Sequence, residues 1–233
     1  MARFRLLKKI LILVFILFIP GFFYYLMTSR GQNRYHALRI FGPKIPVKKY
    51  DSAKGKFVTD TIFHQVGDFK LTDQDGKEVS FKTYNDKVLV VGFFYTHCAT
   101  LCNTINGYID SLDRNYAQGK MVQFASITVD PKRDSVGALK KYAAQFADRN
   151  AKWKFLTGDT ATIYNLARKG FLVNAVDQGN GNFIYSDQLI LLDSHRRIRG
   201  YYTGASLTDV TRLNDEIKVL VKQELLERDT PMY

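Results

Sequence analysis

Hydrophobic positions fall into three successive patterns along the chain. Nearest the N-terminus, "ILILVFILFIPGFFYYLM" runs from Ile10 to Met27 as 18 residues without a charge. At about 1.5 Å per helical residue this approaches the ~30 Å hydrocarbon core of a bilayer, and it predicts one membrane-spanning helix. The run is long for the apolar core of a cleaved signal, and no pair of small residues follows it. No cysteine lies nearby to carry a lipid. Arg3, Arg5, Lys8 and Lys9 precede it while Arg30, Arg34, Arg39 and Lys44 follow, so charge bias alone barely decides its orientation. Phe22, Tyr24 and Tyr25 suit an interfacial aromatic belt. Residues 28–56 then lose periodicity and carry Pro43, Pro46 and scattered basic residues, which predicts a linker.

From residue 57 onward, strand and helix patterns alternate. "VGDFKLTDQDGKEVSF" predicts a hairpin around Asp75-Gly76, and "KVLVVGFFY" (87–95) is a continuous β-branched and aromatic run of the kind buried on both faces. A helical spacing of Ile105, Tyr108, Ile109, Leu112 and Tyr116 within 103–118 leads to a strand over 121–130, completing a βαβ unit. A helix over 134–147, a strand at "KWKFLTGD", a helix over 160–168, a strand over 188–193, a hairpin to "RIRGYYTG" and a helix over 207–226 complete the series. This alternation predicts a three-layer α/β sandwich around a mixed central sheet, with an N-terminal hairpin added and one transmembrane helix ahead of it. The expected organisation is a cytoplasmic tail over 1–9, an anchor over 10–27, a basic linker over 28–56 and one domain over 57–233.

Charge changes the picture only when it is located. The formal +12 at pH 7 suggests nucleic acid, but residues 1–50 hold ten Lys/Arg and no Asp/Glu. The remainder carries 24 basic and 22 acidic residues, so the folded part is nearly neutral. No RNA-binding, zinc-finger or basic-zipper signature is present, and a nucleic-acid partner is excluded.

The chain has two cysteines, Cys98 and Cys102, both in "FFYTHCATLCNTI" where the buried strand leaves the sheet and the next helix begins. Backbone N–H groups and the positive end of the helix dipole favour thiolates there. On a regular helix, residues four apart have Cβ atoms about 5–6 Å apart, whereas a disulfide wants about 3.5–4.5 Å. A soft metal tolerates the wider spacing, and thiolates select Cu(I) among first-row ions. The spacing therefore leans to metal and leaves redox chemistry open, and two small buried hydrophobes are the bland alternative.

These residues, "VGFFYTHCATLCNTI", resemble the Sco/SenC family of membrane-anchored, thioredoxin-fold copper proteins. "SITVDPKRDS" (126–135) is similar to its V-D-P-x-R-D segment, "WKFLTGD" (153–159) to its W-x-x-L-T-G block, and "LILLDSHRRIRGYYTG" (189–204) to its closing hairpin. The resemblance spans about residues 60–225. It implies a copper chaperone that helps assemble the Cu(A) centre of cytochrome c oxidase. It also implies a single-pass protein of the inner (cytoplasmic) membrane, with the domain facing the periplasm or extracytoplasmic side.

The chain departs from the family at its site. The family's copper ligands are the two cysteines and a histidine ahead of the closing hairpin, and counting back from Asp193 places Tyr185 at that third-ligand position. Ala99 and Asn103 stand where the family loop has prolines. With Cys98 and Cys102 but no imidazole, Cu(I) is the expected state, and a stable Cu(II) site, which favours nitrogen, is not. His97, His64, His195 and His36 are read as bystanders, and Asp130 either approaches the cysteine loop or simply forms a turn with Pro131.

Three functions are left to weigh. The first is copper(I) delivery or thiol maintenance for a cytochrome c oxidase subunit. The second is an extracytoplasmic thiol-disulfide oxidoreductase using Cys98 and Cys102 on an exported thiol protein, and the third is a non-catalytic interaction module. The sequence does not decide whether the chain is an enzyme, although the blocks and the paired thiols favour an assembly factor.

Overall fold

The computed structural model describes residues 2–30, 37–52, 55–98, 100–146, 152–179 and 182–229. The chain divides into two units, Met1–His36 and Ala37–Tyr233.

The first unit is helix α1, Ala2–Arg30, with Pro20 inside it. Its described side chains from Leu11 to Ile19 are apolar and exposed. Among the described residues no helix is long and apolar enough to cross a membrane, so the expected single-pass anchor over 10–27 is not supported.

The second unit opens with β1 (Lys44–Asp51) and β2 (Lys56–Phe63), an antiparallel ribbon that pairs Ile45 with Ile62 and Tyr50 with Phe57. Residues 44–51 were expected to be linker. Their alternation is hidden because Ile45, Lys48, Lys49 and Tyr50 are all exposed, so burial imposes no apolar face. Then follow β3 (Leu71–Asp73), β4 (Glu78–Val79), β5 (Val88–Phe94), α2 (Leu101–Asn115), β6 (Val122–Thr128), α3 (Val136–Ala143), β7 (Trp153–Thr157) and α4 (Thr160–Asn165). β8 (Ala175–Gly179), β9 (Asn182–Tyr185), β10 (Gln188–Leu192), β11 (Ile198–Thr203) and α5 (Leu207–Asp229) complete the unit.

Seven strands form the central sheet in the order β11-β10-β5-β6-β7-β3-β4. β5, β6 and β7 run parallel, and the outer pairings are antiparallel, giving the mixed sheet that the alternating pattern predicts. All seven residues of β5 are buried because both faces of this central strand are covered. Leu89, Val91 and Phe93 face a core completed by Ile163 of α4 and by Leu166 and Phe171. Val88, Val90 and Phe94 face the opposite core with Ile105 and Ile109 of α2, Leu139 of α3 and Leu213 and Ile217 of α5. The three layers follow directly.

Gly92 permits close packing at the middle of β5. A Cβ there would lie 3.1 Å from Leu189 Cδ2, so the Leu189 side chain on β10 would have to give way by a few tenths of an ångström, while Ile109 Cδ1 of α2 at 3.5 Å would be in ordinary contact. β8 and β9 form a separate hairpin outside the sheet, which the sequence pattern did not separate from the surrounding loop. This hairpin delivers Tyr185.

Candidate functional site

The site grows from the end of β5. Phe94 is buried and its carbonyl accepts the Val129 N–H at 2.8 Å, tying the strand end to β6. The chain then turns, with Cys98 N donating to Tyr95 O at 3.2 Å. Thr96 fixes this turn from below. Its N–H donates to Asp134 Oδ2 at 3.0 Å and its hydroxyl to Asp134 Oδ1 at 2.5 Å. Asp134 is fully buried, and the Thr128 hydroxyl also donates to it. A buried carboxylate that accepts several donors is stable only in place, so Asp134 locks the cysteine loop to the β6–α3 connection.

Asp134 is the residue that sequence reasoning missed in favour of Asp130. The carbonyl of Asp130 accepts the Asp134 N–H at 2.9 Å, and its carboxylate pairs with Arg133 Nε at 2.6 Å, so Asp130 serves the local turn. The signal was present in "VDPKRDS" as a second acid four residues on, but nothing local connects it to Thr96, 38 positions away.

Helix α2 begins at Leu101, and the side chain of Thr100 makes no capping hydrogen bond. The open N–H of Cys102 instead donates to Cys98 Sγ at 3.2 Å. A sulfur thus takes the acceptor's place at the helix start, where N–H groups otherwise lack partners. Cys98 and Cys102 form a disulfide with their Cα atoms 5.6 Å apart, within the ordinary range. The spacing argument that leaned to metal took the Cβ separation of a regular helix for the pair, with a disulfide requiring the turn to bend. Cys98 precedes α2, and that turn brings the sulfurs together. Ala99 lies outside the described residues, as does His36.

Tyr185 completes the site from β9. Its hydroxyl lies 3.0 Å from Cys102 Sγ and 3.4 Å from Cys98 Sγ. Its ring meets Tyr95 edge-on, with centroids 5.8 Å apart. Burial, reinforced by Tyr95, Asp187 and Tyr142, pushes the phenol up to about 12, so it stays protonated at neutral pH. Asn103, in the first turn of α2, accepts the Tyr142 hydroxyl at 3.4 Å.

The described histidines are engaged elsewhere. His97 is exposed, with Nδ1 at 3.1 Å from the Thr96 hydroxyl. His64 Nε2 lies 2.7 Å from Gly170 O. His195 sits with Asp193 and Glu224, their ligand atoms within 4.8 Å of one another. Asp193 there is already matched by Arg197 Nε at 2.7 Å and Arg199 Nη1 at 3.0 Å, which makes this an ion network. A metal at the cysteine loop would therefore find two sulfurs and a protonated phenol as its donor set. Sulfurs suit a soft monovalent ion, and the set lacks the nitrogen that Cu(II) favours.

The SCO1/SenC family model matches residues 59–222 of this chain. A SCO1 protein homolog from Bacillus subtilis is 27% identical over 167 residues, covering 70% of this chain and 86% of that protein. BsSco, a member of the Sco family of cytochrome c oxidase assembly proteins in which a disulfide switch was identified, superposes with a TM-score of 0.61. The two are 26% identical over 68% of this chain and 94% of BsSco. Copper-bound ScoI from Bradyrhizobium japonicum superposes with a TM-score of 0.55 at 28% identity, over 67% of this chain and 99% of that one. With its mixed sheet, its layers and 164 consecutive residues matched by one family model, the chain belongs to the SCO1/SenC family.

Proposed function

We propose that this chain serves in cytochrome c oxidase assembly, using Cys98 and Cys102 as a reversible dithiol that takes up Cu(I) when reduced. The observation that carries this reading is the pair of sulfurs joined at a strand-to-helix turn, with a helix N–H directed at one of them. Such a turn stabilises thiolates and lets the pair open and close without moving the sheet. Copper would be the cargo of this chain. Cys98 and Cys102 would hold it, and Tyr185, at the position expected for the family's histidine ligand, would contribute little as a neutral phenol. The kinship with BsSco and with copper-bound ScoI supports the reading.

A second reading has its own support. A protonated phenol against both sulfurs, where a copper site would gain from an imidazole, favours thiol-disulfide exchange with an oxidase subunit or another exported thiol protein. We further propose that the protein associates with a membrane through α1, whose exposed apolar side chains from Leu11 to Ile19 suit lipid, and that the domain faces the extracytoplasmic side. The folded unit from Ala37 onward, opened by the β1–β2 ribbon, would follow that attachment in sequence. An alkaline phosphatase fusion at the C-terminus should be active, and an inactive fusion removes the exported placement.

The assembly role is tested in cells deleted for the gene. Oxidase activity and its Cu(A) absorption should fall and should return with the wild-type chain but not with Cys98→Ser. Full activity in cells carrying Cys98→Ser together with Cys102→Ser would overturn the proposal.

A further inference from the structure

We propose that Tyr185 is a catalytic residue of thiol-disulfide exchange in this chain: its hydroxyl donates a hydrogen bond to Cys102 Sγ as that sulfur departs as thiolate. The proposal rests on the reversible-dithiol reading and names the group that favours Cys102 as the sulfur that leaves.

The donor is fixed by chemistry. A disulfide sulfur carries no proton, so in both contacts, 3.0 Å to Cys102 and 3.4 Å to Cys98, the phenol is the donor. The two sulfurs are otherwise unequal. Cys98 is 8% exposed and Cys102 is 1% exposed, so an incoming thiolate reaches Cys98 first. In-line attack there forms a bond between the partner's sulfur and Cys98 Sγ and breaks the bond to Cys102, whose sulfur keeps the electron pair. The developing negative charge then sits on the sulfur nearer to the phenol, where a preorganised donor is most effective. A second thiolate of the partner dithiol attacks the mixed disulfide at the partner's sulfur and releases Cys98 as thiolate, so the partner leaves oxidised and this chain reduced. The Cys98 thiolate in turn accepts the Cys102 N–H, which already lies 3.2 Å away.

Tyr185 acts as a hydrogen-bond donor only: each thiolate released replaces one consumed by the attack, so the exchange requires no proton from the phenol. The edge-on contact of Tyr95 and the hairpin β8–β9 hold the ring in place without either sulfur's help.

The test uses the full chain and dithiothreitol as the partner dithiol. Reduction of the disulfide is followed by quenching with iodoacetamide and mass analysis, for wild type and Tyr185→Phe, which keeps the ring and its packing. A hydrogen bond to a charged group is worth about tenfold or more in an equilibrium constant. Tyr185→Phe should therefore reduce about tenfold more slowly. In the reduced protein the pH profile of Cys102 alkylation should move upward while that of Cys98 moves less. A folded Tyr185→Phe chain with wild-type rate and wild-type Cys102 profile overturns the proposal. A wild-type disulfide inert to excess dithiothreitol overturns the dithiol reading itself, and this proposal with it.

Discussion

The hydroxyl of Tyr185 lies 3.0 Å from Cys102 Sγ, although 83 residues separate the two in the chain. A hairpin outside the central sheet and the first turn of α2 thus converge on one bond. Because the phenol already reaches the sulfurs, a shorter imidazole on the same backbone would stand beside the pair as a third donor. Tyr185→His should cost about 1 kcal/mol of stability, as single substitutions commonly do. After reduction it should bind Cu(II) with a sulfur-to-copper charge-transfer absorption that wild type lacks. The same substitution with Cys98→Ser should lose that band. An unchanged copper spectrum in a folded Tyr185→His chain would show that this position does not address the metal.

Asp134 supports the loop from the other side. Asp134→Ala leaves the Thr96 N–H and the hydroxyls of Thr96 and Thr128 without their acceptor. Unsatisfied buried donors cost on the order of 1–3 kcal/mol each in principle, and relaxation of the loop recovers part of that. The urea midpoint should fall accordingly, with Asp134→Asn less damaging because it keeps one acceptor oxygen. Equal midpoints for Asp134→Ala and wild type would remove Asp134 from the support of the loop.

The turn after β10 depends on charge pairing. Asp193 is 2% exposed and accepts from Arg197 Nε and Arg199 Nη1, and Arg199 is itself 6% exposed. Removing one partner of a buried pair strands the other, which costs about 3–5 kcal/mol. Asp193→Asn should lower the thermal midpoint sharply, and Asp193→Asn with Arg199→Met should recover part of the loss. A double variant no more stable than the single one would contradict this.

Asp73 makes stability depend on acid. Burial pushes its carboxyl up, but Lys154 Nζ at 2.7 Å and the N–H groups of Lys77 and Asp75 outweigh burial and hold it below its ordinary 3.8. A carboxyl depressed in the folded state contributes stability that is present above the unfolded value and lost as pH falls through the folded one. Urea midpoints measured from about pH 5 to about pH 3 should decline, and Lys154→Met should flatten that decline. An identical acid limb in the variant would exclude the pair as its source.

Much of this was legible in the sequence, and the exceptions share a cause. The seven buried residues of β5 announce themselves because a strand covered on both faces has no polar alternation to obscure it. The position of Cys98 and Cys102 at a strand-to-helix junction follows from the same run. What local pattern could not supply was pairing across distance. The contact of Thr96 with Asp134 depends on tertiary geometry that no local spacing encodes, whereas the family resemblance, and no local pattern, placed Tyr185 with the cysteines, where its hydroxyl lies. The hairpin β8–β9 was hidden because Val176, Asp177, Gln178 and Gly179 are all exposed, although the Gly179-Asn180-Gly181 sequence was a turn signal. The expected span over 10–27 was read from 18 residues without a charge and an aromatic far end, but among the described residues no helix is long and apolar enough to cross a membrane.

The central claim is that Cys98 and Cys102 form a reversible dithiol that takes Cu(I) only when open, and anaerobic titration of the full chain with Cu(I) against a competing chelator tests it most directly. The reduced chain should bind one Cu(I), and the oxidised chain and Cys102→Ser should not compete with the chelator. Binding of one Cu(I) by the oxidised chain, or none by the reduced chain, would contradict the account.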